Sequence, residues 1–506
     1  MKSKLFKNYI FNFISQILTL IVPLITTPYI SRVLHDVGVG QYSYSASIIT
    51  YFTLFANLGF NTYGQREIAK VRDNKQAVSK VFYEIFVLRI FTTAISVIVL
   101  YSILFSVGFG DSYNNLILIL SIQVFAVIFD ITYLYQGIED FKSIAIRSVF
   151  VRLIMLIFIF VFVKKETDLE KYVLLLSLSQ LLGMLIMWPK LFRLVTKVNI
   201  KEFELKKHIM PTILIFLPSL AVTVYSVFDK TMIGLLAKNP DYENGCYEQA
   251  YKINSVALLF ITVVSPIFVP RNAAELSKGN DDQIRKNMYF VSNYTWMLGL
   301  AMITGFIVLA SNLSSWFLGD GFESAPVLMI IMSVRFVSSG FSELFGSQYF
   351  IVKGKEKYVT ISAITAAVIN LVLNYILIPN YGAVGAAIAT AISEIFITIV
   401  QGIFIYKDGI ISIRKILFMS WRYIVASVVM FIPIYFMQQN MGYSIWTFLL
   451  ITAVGAIVYF LVLLLLRDKF LFDVIKFGLS IFKKKNADLV TDENAVVNNK
   501  EENKNE

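Results

Sequence analysis

The sequence predicts an all-α, polytopic integral membrane protein with about fourteen transmembrane helices. Three observations carry this. Of 506 residues, 57% are hydrophobic and only 16% charged, with a mean hydropathy of +0.68, outside the range of soluble globular domains. Apolar runs of about 20 residues, the length that crosses a bilayer, recur along the whole chain. The loops between them alternate between rich and poor in Lys and Arg, the signature of a chain threaded back and forth through a membrane.

Taken in order, the first span is expected over residues 7–34, with Pro23 and Pro28 inside it, and the second over 41–62. Prolines are tolerated in a membrane helix where neighbours or water satisfy the freed carbonyl. The short basic start, Lys2 to Lys7, leads into an apolar run that continues without a cleavable small-residue site, which reads as a retained first helix. A basic loop over 64–70 follows the second span. The third span is expected over 81–107 with Arg89 inside it, the fourth over 115–135 with Asp130, the fifth over 144–163 with Arg152, and the sixth over 172–191. Residues 192–208 form the longest polar connection, and 198–208 could form an amphipathic helix at the interface.

The seventh span, 210–236, carries Asp229 and Lys230 in an otherwise apolar run, with prolines at 211 and 218. An ionisable group at the centre of a membrane helix costs about 2.5–3.5 kcal/mol on insertion scales, so such groups face a partner or a wet cavity. Neighbours on a helix point about 100° apart. Asp229 and Lys230 therefore cannot share one direction: one can anchor the helix while the other faces a cavity. A polar loop with Asn239, Pro240, Asp241 and Gly245 follows. The remaining spans are expected over 251–269, 288–312, 325–350 (with Arg335 and Glu343), 359–378, 384–405 (with Glu394), 417–438 and 443–466. The last residues, rich in Asn, Glu and Lys, read as a disordered tail.

With the N-terminus inside, the inner loops hold most of the Lys and Arg, and the loops at 108–114, 314–324, 379–382 and 439–444 hold none. This places both termini in the cytoplasm. The expected organisation is an N-terminal lobe, 1–191; a cytoplasmic linker, 192–209; a C-terminal lobe, 210–406; two extra helices over 407–466; and a cytoplasmic tail, 467–506. The two six-helix lobes echo one another. Gly40-Gln41-Tyr42 matches Gly245-Cys246-Tyr247; Arg66 lies 26 residues beyond Gly40, and Arg271 lies 26 beyond Gly245. An even number of spans per half inserts both halves the same way up. The repeats are then related by a pseudo-two-fold axis along the membrane normal, the arrangement that supports rocking alternating access.

Composition also excludes function classes. One cysteine, Cys246, permits no intrachain disulfide, and two separated histidines, His35 and His208, form no ligand spacing, so no metal site is expected. The net charge of +11 reports topology, not nucleic-acid binding. There is no P-loop, nucleophile elbow or paired-carboxylate motif, so the chain reads as a transporter and not an enzyme.

Pro28-Tyr29-Ile30-Ser31-Arg32-Val33-Leu34, then Gly40-Gln41-Tyr42-Ser43, then Gly64-Gln65-Arg66-Glu67, with Asp229-Lys230-x-Met232-Ile233-Gly234 in the seventh span, together resemble bacterial oligosaccharide flippases. These are the O-antigen and capsule repeat-unit transporters of the multidrug/oligosaccharidyl-lipid/polysaccharide (MOP) superfamily. The resemblance covers nearly the whole chain, departing at His35-Asp36, where the family often has small residues. It implies a flippase that moves undecaprenyl-diphosphate-linked oligosaccharide units from the inner to the outer leaflet of the bacterial cytoplasmic membrane, feeding a polysaccharide polymerase and chain-length machinery. Such a substrate needs a cationic cavity for diphosphate and sugar and a lateral gap for the tail. Arg offers bidentate phosphate contact and Lys a point charge. The candidates are Arg335, Lys230, Arg89, Arg152, Arg32 and Lys252, with Arg422 close enough to the inner surface to snorkel. Asp130, Asp229, Glu343 and Glu394 could pair with these cations, or one could take H+ or Na+ as a coupling ion; no other cofactor is expected. A cation-coupled multidrug exporter and a lipid II flippase of the same superfamily are alternatives. From a different class, a membrane-embedded polymerase or glycosyltransferase would carry large catalytic loops, and every loop here is short.

Overall fold

The structure, a computed structural model, describes residues 2–474 and 476. The tail expected beyond them lies outside the described residues. Eighteen α-helices follow in order: α1 (Lys2–Asn57), α2 (Phe60–Val71), α3 (Lys75–Ser106), α4 (Asp111–Ala126), α5 (Thr132–Gly137), α6 (Phe141–Phe162), α7 (Leu169–Leu185), α8 (Trp188–Leu194), α9 (Lys206–Leu236), α10 (Pro240–Thr262), α11 (Ser265–Ser277), α12 (Asp281–Leu313), α13 (Ala325–Ser333), α14 (Arg335–Phe345), α15 (Glu356–Asp408), α16 (Ile413–Met419), α17 (Trp421–Asn440) and α18 (Ile445–Leu465). Without water in the hydrocarbon layer, backbone N–H and C=O groups must pair within each segment, and helices achieve this. Two of the helices are double. α1 breaks at His35, where φ is 54°, and α15 breaks at Gly382, where φ is 55°. Among the described residues, ten stretches are long and apolar enough to cross a membrane. Dividing α15 at its break and adding both halves of α1 and the whole of α9 brings the spans to 14.

Exposed apolar faces fit this reading. α18 buries Ile451, Gly455, Tyr459 and Leu463, one face at four-residue spacing, while Leu449, Leu450, Ile457, Leu461 and Leu465 face outward. Such a face is stable only in lipid or against a partner. The buried side packs on α17, where Gly455 lets Met430 and Ile434 approach, and Tyr459 donates to the Met297 carbonyl of α12 at 2.7 Å. The pair α17–α18 is thus an attachment to the twelve-span body.

Three local expectations are corrected. Residues 64–70 are not a loop but part of α2. The second span stops at Leu58 and Gly59, both at positive φ, and the chain restarts as an amphipathic helix. It buries Phe60, Tyr63 and Ile68 and leaves Arg66 and Lys70 exposed. Residues 239–245 are not a loop either: Pro240 stands in the first turn of α10, with Asp241 and Glu243 beside it. Proline lacks only an N–H that a first turn leaves unpaired anyway, and acids suit a helix N-terminus. Finally, 198–208 is not an amphipathic helix. It holds a 3-10 turn at Ile200–Glu202 and becomes α-helical only at Lys206, where α9 begins, and its polar groups are taken by α3. Ser79 accepts from the Thr196 amide at 2.8 Å, and the Glu84 carboxylate accepts from the Glu204 amide at 2.8 Å. His208, buried, bridges Tyr63 and Glu84 at 2.7 Å on each side.

The two halves meet along the second half of α1 and α10. A Cβ on Gly40 would collide with the backbone carbonyl of Asp241, and a Cβ on Gly245 would collide with that of Asp36. Residue 36 corresponds to 241 as 40 corresponds to 245, so one contact is the two-fold image of the other. The repeat that two short motifs suggested is therefore a physical crossing of two helices, tight enough to require glycine on both. Arg32 donates to the Trp316 carbonyl close by, and Asp241 accepts from Gln41 at 2.9 Å and Tyr113 at 2.5 Å. Glu243 accepts from the Ala383 amide at 2.8 Å, capping the second half of α15. This is the cation-poor end of the molecule. At the other, basic end, with Arg66 and Arg271, the hydrogen bonds and ion pairs that join the halves among the described residues are those of the linker and the first turn of α9.

Candidate functional site: a charged cluster between the halves

Asp229 and Lys230 diverge as a helical step of about 100° requires. Asp229, buried, turns toward α15 and α10. It accepts from Asn374 at 2.7 Å and Asn370 at 3.2 Å, and from the hydroxyls of Tyr247 and Thr390. One carboxylate thus ties α9 to two neighbours through four donors. Asp229→Ala would leave those donors buried and unmet, and each such group costs about 1–3 kcal/mol. The expected result is a loss of at least about 3 kcal/mol in thermal unfolding of the purified protein. Asp229→Asn should lose less, because the amide keeps one acceptor.

Lys230 turns the other way. Its ammonium meets Glu248 of α10 at 2.5 Å, and Lys252, one turn along α10, meets the other Glu248 oxygen at 3.0 Å. Lys230 also stands over the Tyr251 ring at 5.3 Å, and the Arg335 guanidinium stands over the same ring at 5.0 Å. Arg335 pairs with Glu394 at 3.5 Å, whose second oxygen accepts from Ser339 at 2.9 Å. Two cations, from α9 and α14, therefore stand over one aromatic ring, and a third, Lys252 of α10, joins them through Glu248. The second half of α1 forms the facing wall. Ser43 donates to Glu248 at 3.2 Å, Ser47 and Tyr51 both reach Thr231 at 2.9 Å, and the Tyr42 ring packs on Tyr172 at 5.4 Å. Lys252 keeps 32% of its side chain exposed and Lys230 18%.

The other candidates lie elsewhere. Arg89 is fully buried within the first half. It donates to the Asp130 carbonyl and to Asn61 at 2.7 Å, with the Asp130 carboxylate 4.0 Å away and the Tyr133 ring beneath it. Asp130 in turn accepts from the Thr132 amide at 3.0 Å, starting α5. Arg32 belongs to the closure at the cation-poor end. Arg152 is partly exposed on α6, outside the cluster, and Glu343 accepts from Ser265 at 2.6 Å, tying α14 to α11. Of the six proposed cavity cations, the structure gathers Lys230, Lys252 and Arg335.

Glu248 was missed by sequence reading. With the eighth span begun at Tyr251, Glu248 fell in a loop, where a carboxylate is ordinary. The signal that could have found it is Pro240-Asp241-Tyr242-Glu243, a helix start, which places Glu248 two turns inside a membrane helix.

An apolar cavity of about 580 Å3 opens between α12, α14, α15 and α16, lined by Trp296, Val337, Phe341, Ile399, Ile403 and Ile416. Ser338 and Thr398 also line it, within one turn of Arg335 and Glu394.

Comparison with known proteins agrees with this architecture. The chain is 24% identical over 419 residues to a putative O-antigen transporter of Escherichia coli (strain K12), covering 81% of this chain and 99% of that protein. Its fold superposes on a lipid II flippase MurJ in an inward closed conformation with a TM-score of 0.71, at 15% identity, covering 92% of this chain and 99% of that one. It also superposes on an inward-facing multidrug resistance MATE family transporter of the MOP superfamily with a TM-score of 0.58, at 16% identity, covering 77% and 98%. The family model for polysaccharide biosynthesis proteins matches residues 5–273. That match spans more than half of the sequence, and the chain belongs to the polysaccharide biosynthesis protein family.

Proposed function

We propose that this protein is a flippase for lipid-linked oligosaccharide diphosphates, carrying undecaprenyl-diphosphate-linked units across the bacterial cytoplasmic membrane for surface polysaccharide assembly. The observation that carries this reading is the meeting of Lys230 and Arg335 over the Tyr251 ring, with Lys252 joined to Lys230 through Glu248, at the seam between two pseudo-symmetric halves. Cations at a seam can bind a diphosphate from either side as the halves rock, and rocking about a fixed central site is how such repeats transport. Tyr251 and Tyr42 offer ring faces for sugar. The apolar cavity beside Arg335 matches the polarity of a polyprenyl tail.

In this reading the basic end faces the cytoplasm, with both termini there. The closed cation-poor end faces outward, so the protein stands closed to the outside. Residues 1–191 and 210–406 are the moving lobes, 192–209 is their linker, and 407–466 travels with the second lobe. Asp229, a buried carboxylate that accepts from two amide nitrogens and two hydroxyls on α15 and α10, is the candidate for a coupling H+ or Na+. A polymerase and chain-length machinery are the downstream partners.

The test is a strain lacking the gene, with a membrane-impermeant sugar label reporting the leaflet of the lipid-linked unit. Lost surface polymer with units trapped on the inner leaflet supports the flippase. Normal polymer and leaflet distribution, with heightened sensitivity to cationic drugs, would replace it with a drug exporter.

A further inference from the structure

Glu248 serves two structures at once. Its two oxygens hold the Lys230 and Lys252 ammoniums, and the oxygen on Lys230 also accepts from Ser43 across the seam. Ser43 and Glu248 are separated by 205 residues, the same offset that relates Gly40 to Gly245. They are equivalent positions of the two repeats, so their bond crosses the pseudo-two-fold axis itself. The repeat symmetry is broken there, a hydroxyl on one side and a carboxylate on the other.

The charges do not admit a diphosphate as they stand. Lys230, Lys252 and Arg335 face Glu248 and Glu394, so three cations against two carboxylates leave a single positive charge. A diphosphate diester brings two negative charges, and a surplus anion in a partly buried site is expensive. One carboxylate has to yield. Glu394 is held by Ser339 within its own half. Glu248 is held by the two lysines a phosphate would claim, and by a hydroxyl of the other half.

We propose that Glu248 is a displaceable placeholder for the substrate's diphosphate. It keeps Lys230 and Lys252 aligned and neutralised while the site is empty. An arriving diphosphate takes both lysines, frees Glu248 and breaks its bond to Ser43. Filling the site thereby loosens the closure at the cation-poor end, which ties opening to the presence of cargo. This inference rests on the reading of the cluster as the diphosphate seat. It makes Glu248 a positioning and gating residue, not a substrate ligand.

The experiment is calorimetric titration of the full-length protein in lipid nanodiscs with inorganic pyrophosphate at fixed ionic strength. Removing one competing ion pair should tighten binding about tenfold in Glu248→Gln, while Glu248→Asp, still an anion, stays near the parent. Ser43→Ala leaves the lysine pairs in place. Because coupling between two sites is reciprocal, it should tighten pyrophosphate binding about threefold by removing the bond that binding must break. Weaker binding in Glu248→Gln would show that the carboxylate aligns the lysines without competing, and would overturn the proposal. Unchanged affinity in Ser43→Ala would overturn the link to closure. The Lys230→Ala, Lys252→Ala double variant separates the two levels of argument. If it retains parental affinity, the diphosphate seat itself is wrong. If it loses binding while Glu248→Gln shows no gain, only the placeholder is wrong.

Discussion

Arg335→Ala is expected to reduce surface polymer about 10- to 100-fold, the effect of losing one charge-assisted contact to phosphate worth about 1.5–3 kcal/mol. The single variant has a second consequence that must be separated from the first. Arg335 is the partner of Glu394 at 3.5 Å, and both are nearly buried. Deleting one member of a buried pair strands the other charge at about 3–5 kcal/mol, so lost transport could reflect lost protein. Arg335→Ala combined with Glu394→Gln removes both charges and should recover thermal stability. If polymer stays low in a double variant that is as abundant and as stable as the parent, Arg335 acts on the substrate. If polymer returns with stability, Arg335 is a structural ion pair, and the cavity shrinks to the two lysines.

The fold was legible because the bilayer imposes a strong pattern. A span needs about 20 apolar residues and the loop charges alternate, so span number and sequence order are written plainly in composition. The ends of spans were less legible. α10 and α12 run past their apolar stretches as helix, and after the second span the chain restarts as the amphipathic α2, since nothing in water forces a helix to stop where lipid does. This is why residues 64–70 and 239–245 looked like loops, and why Glu248 went unnoticed. The site was legible only by charge type. Arg89 and Arg335 are alike as sequence, each a lone arginine in an apolar run. What separates them is that Asp130, Asn57 and Asn61 converge on Arg89 from other helices and enclose it, whereas Arg335 stands over a ring at the seam. Such convergence depends on the relative rotation of helices far apart in the chain, which one sequence does not report. The glycine repeat is the opposite case: Gly40 and Gly245 matched at the level of motif, and each meets the partner's backbone in the structure.

That crossing supports the second large effect. Gly40→Ala and Gly245→Ala each place a methyl group inside a backbone carbonyl of the opposite half. A backbone contact cannot yield by turning a rotamer, so the halves must separate at the cation-poor end. A bias of about 5.5 kcal/mol carries a two-state equilibrium from 99:1 to 1:99, and one such backbone collision is of a size to do this. Either variant should still insert and fold, because the clash lies between the halves and not within one. Transport should fall to about 1% or less, since a cycle that cannot close one end cannot reset. Cys246, the neighbour of Gly245 and fully buried in the closed form, should gain reactivity toward a membrane-impermeant maleimide applied from outside. Gly305→Ala is the control, because its Cβ meets open space and should leave both readouts unchanged. Normal export by Gly40→Ala with Cys246 still protected would mean that the helices pass one another without this close approach, and the closed end would lose its place in the transport cycle. Lost export with newly reactive Cys246 would establish that closing this end is a required step, made possible by two residues that lack a side chain.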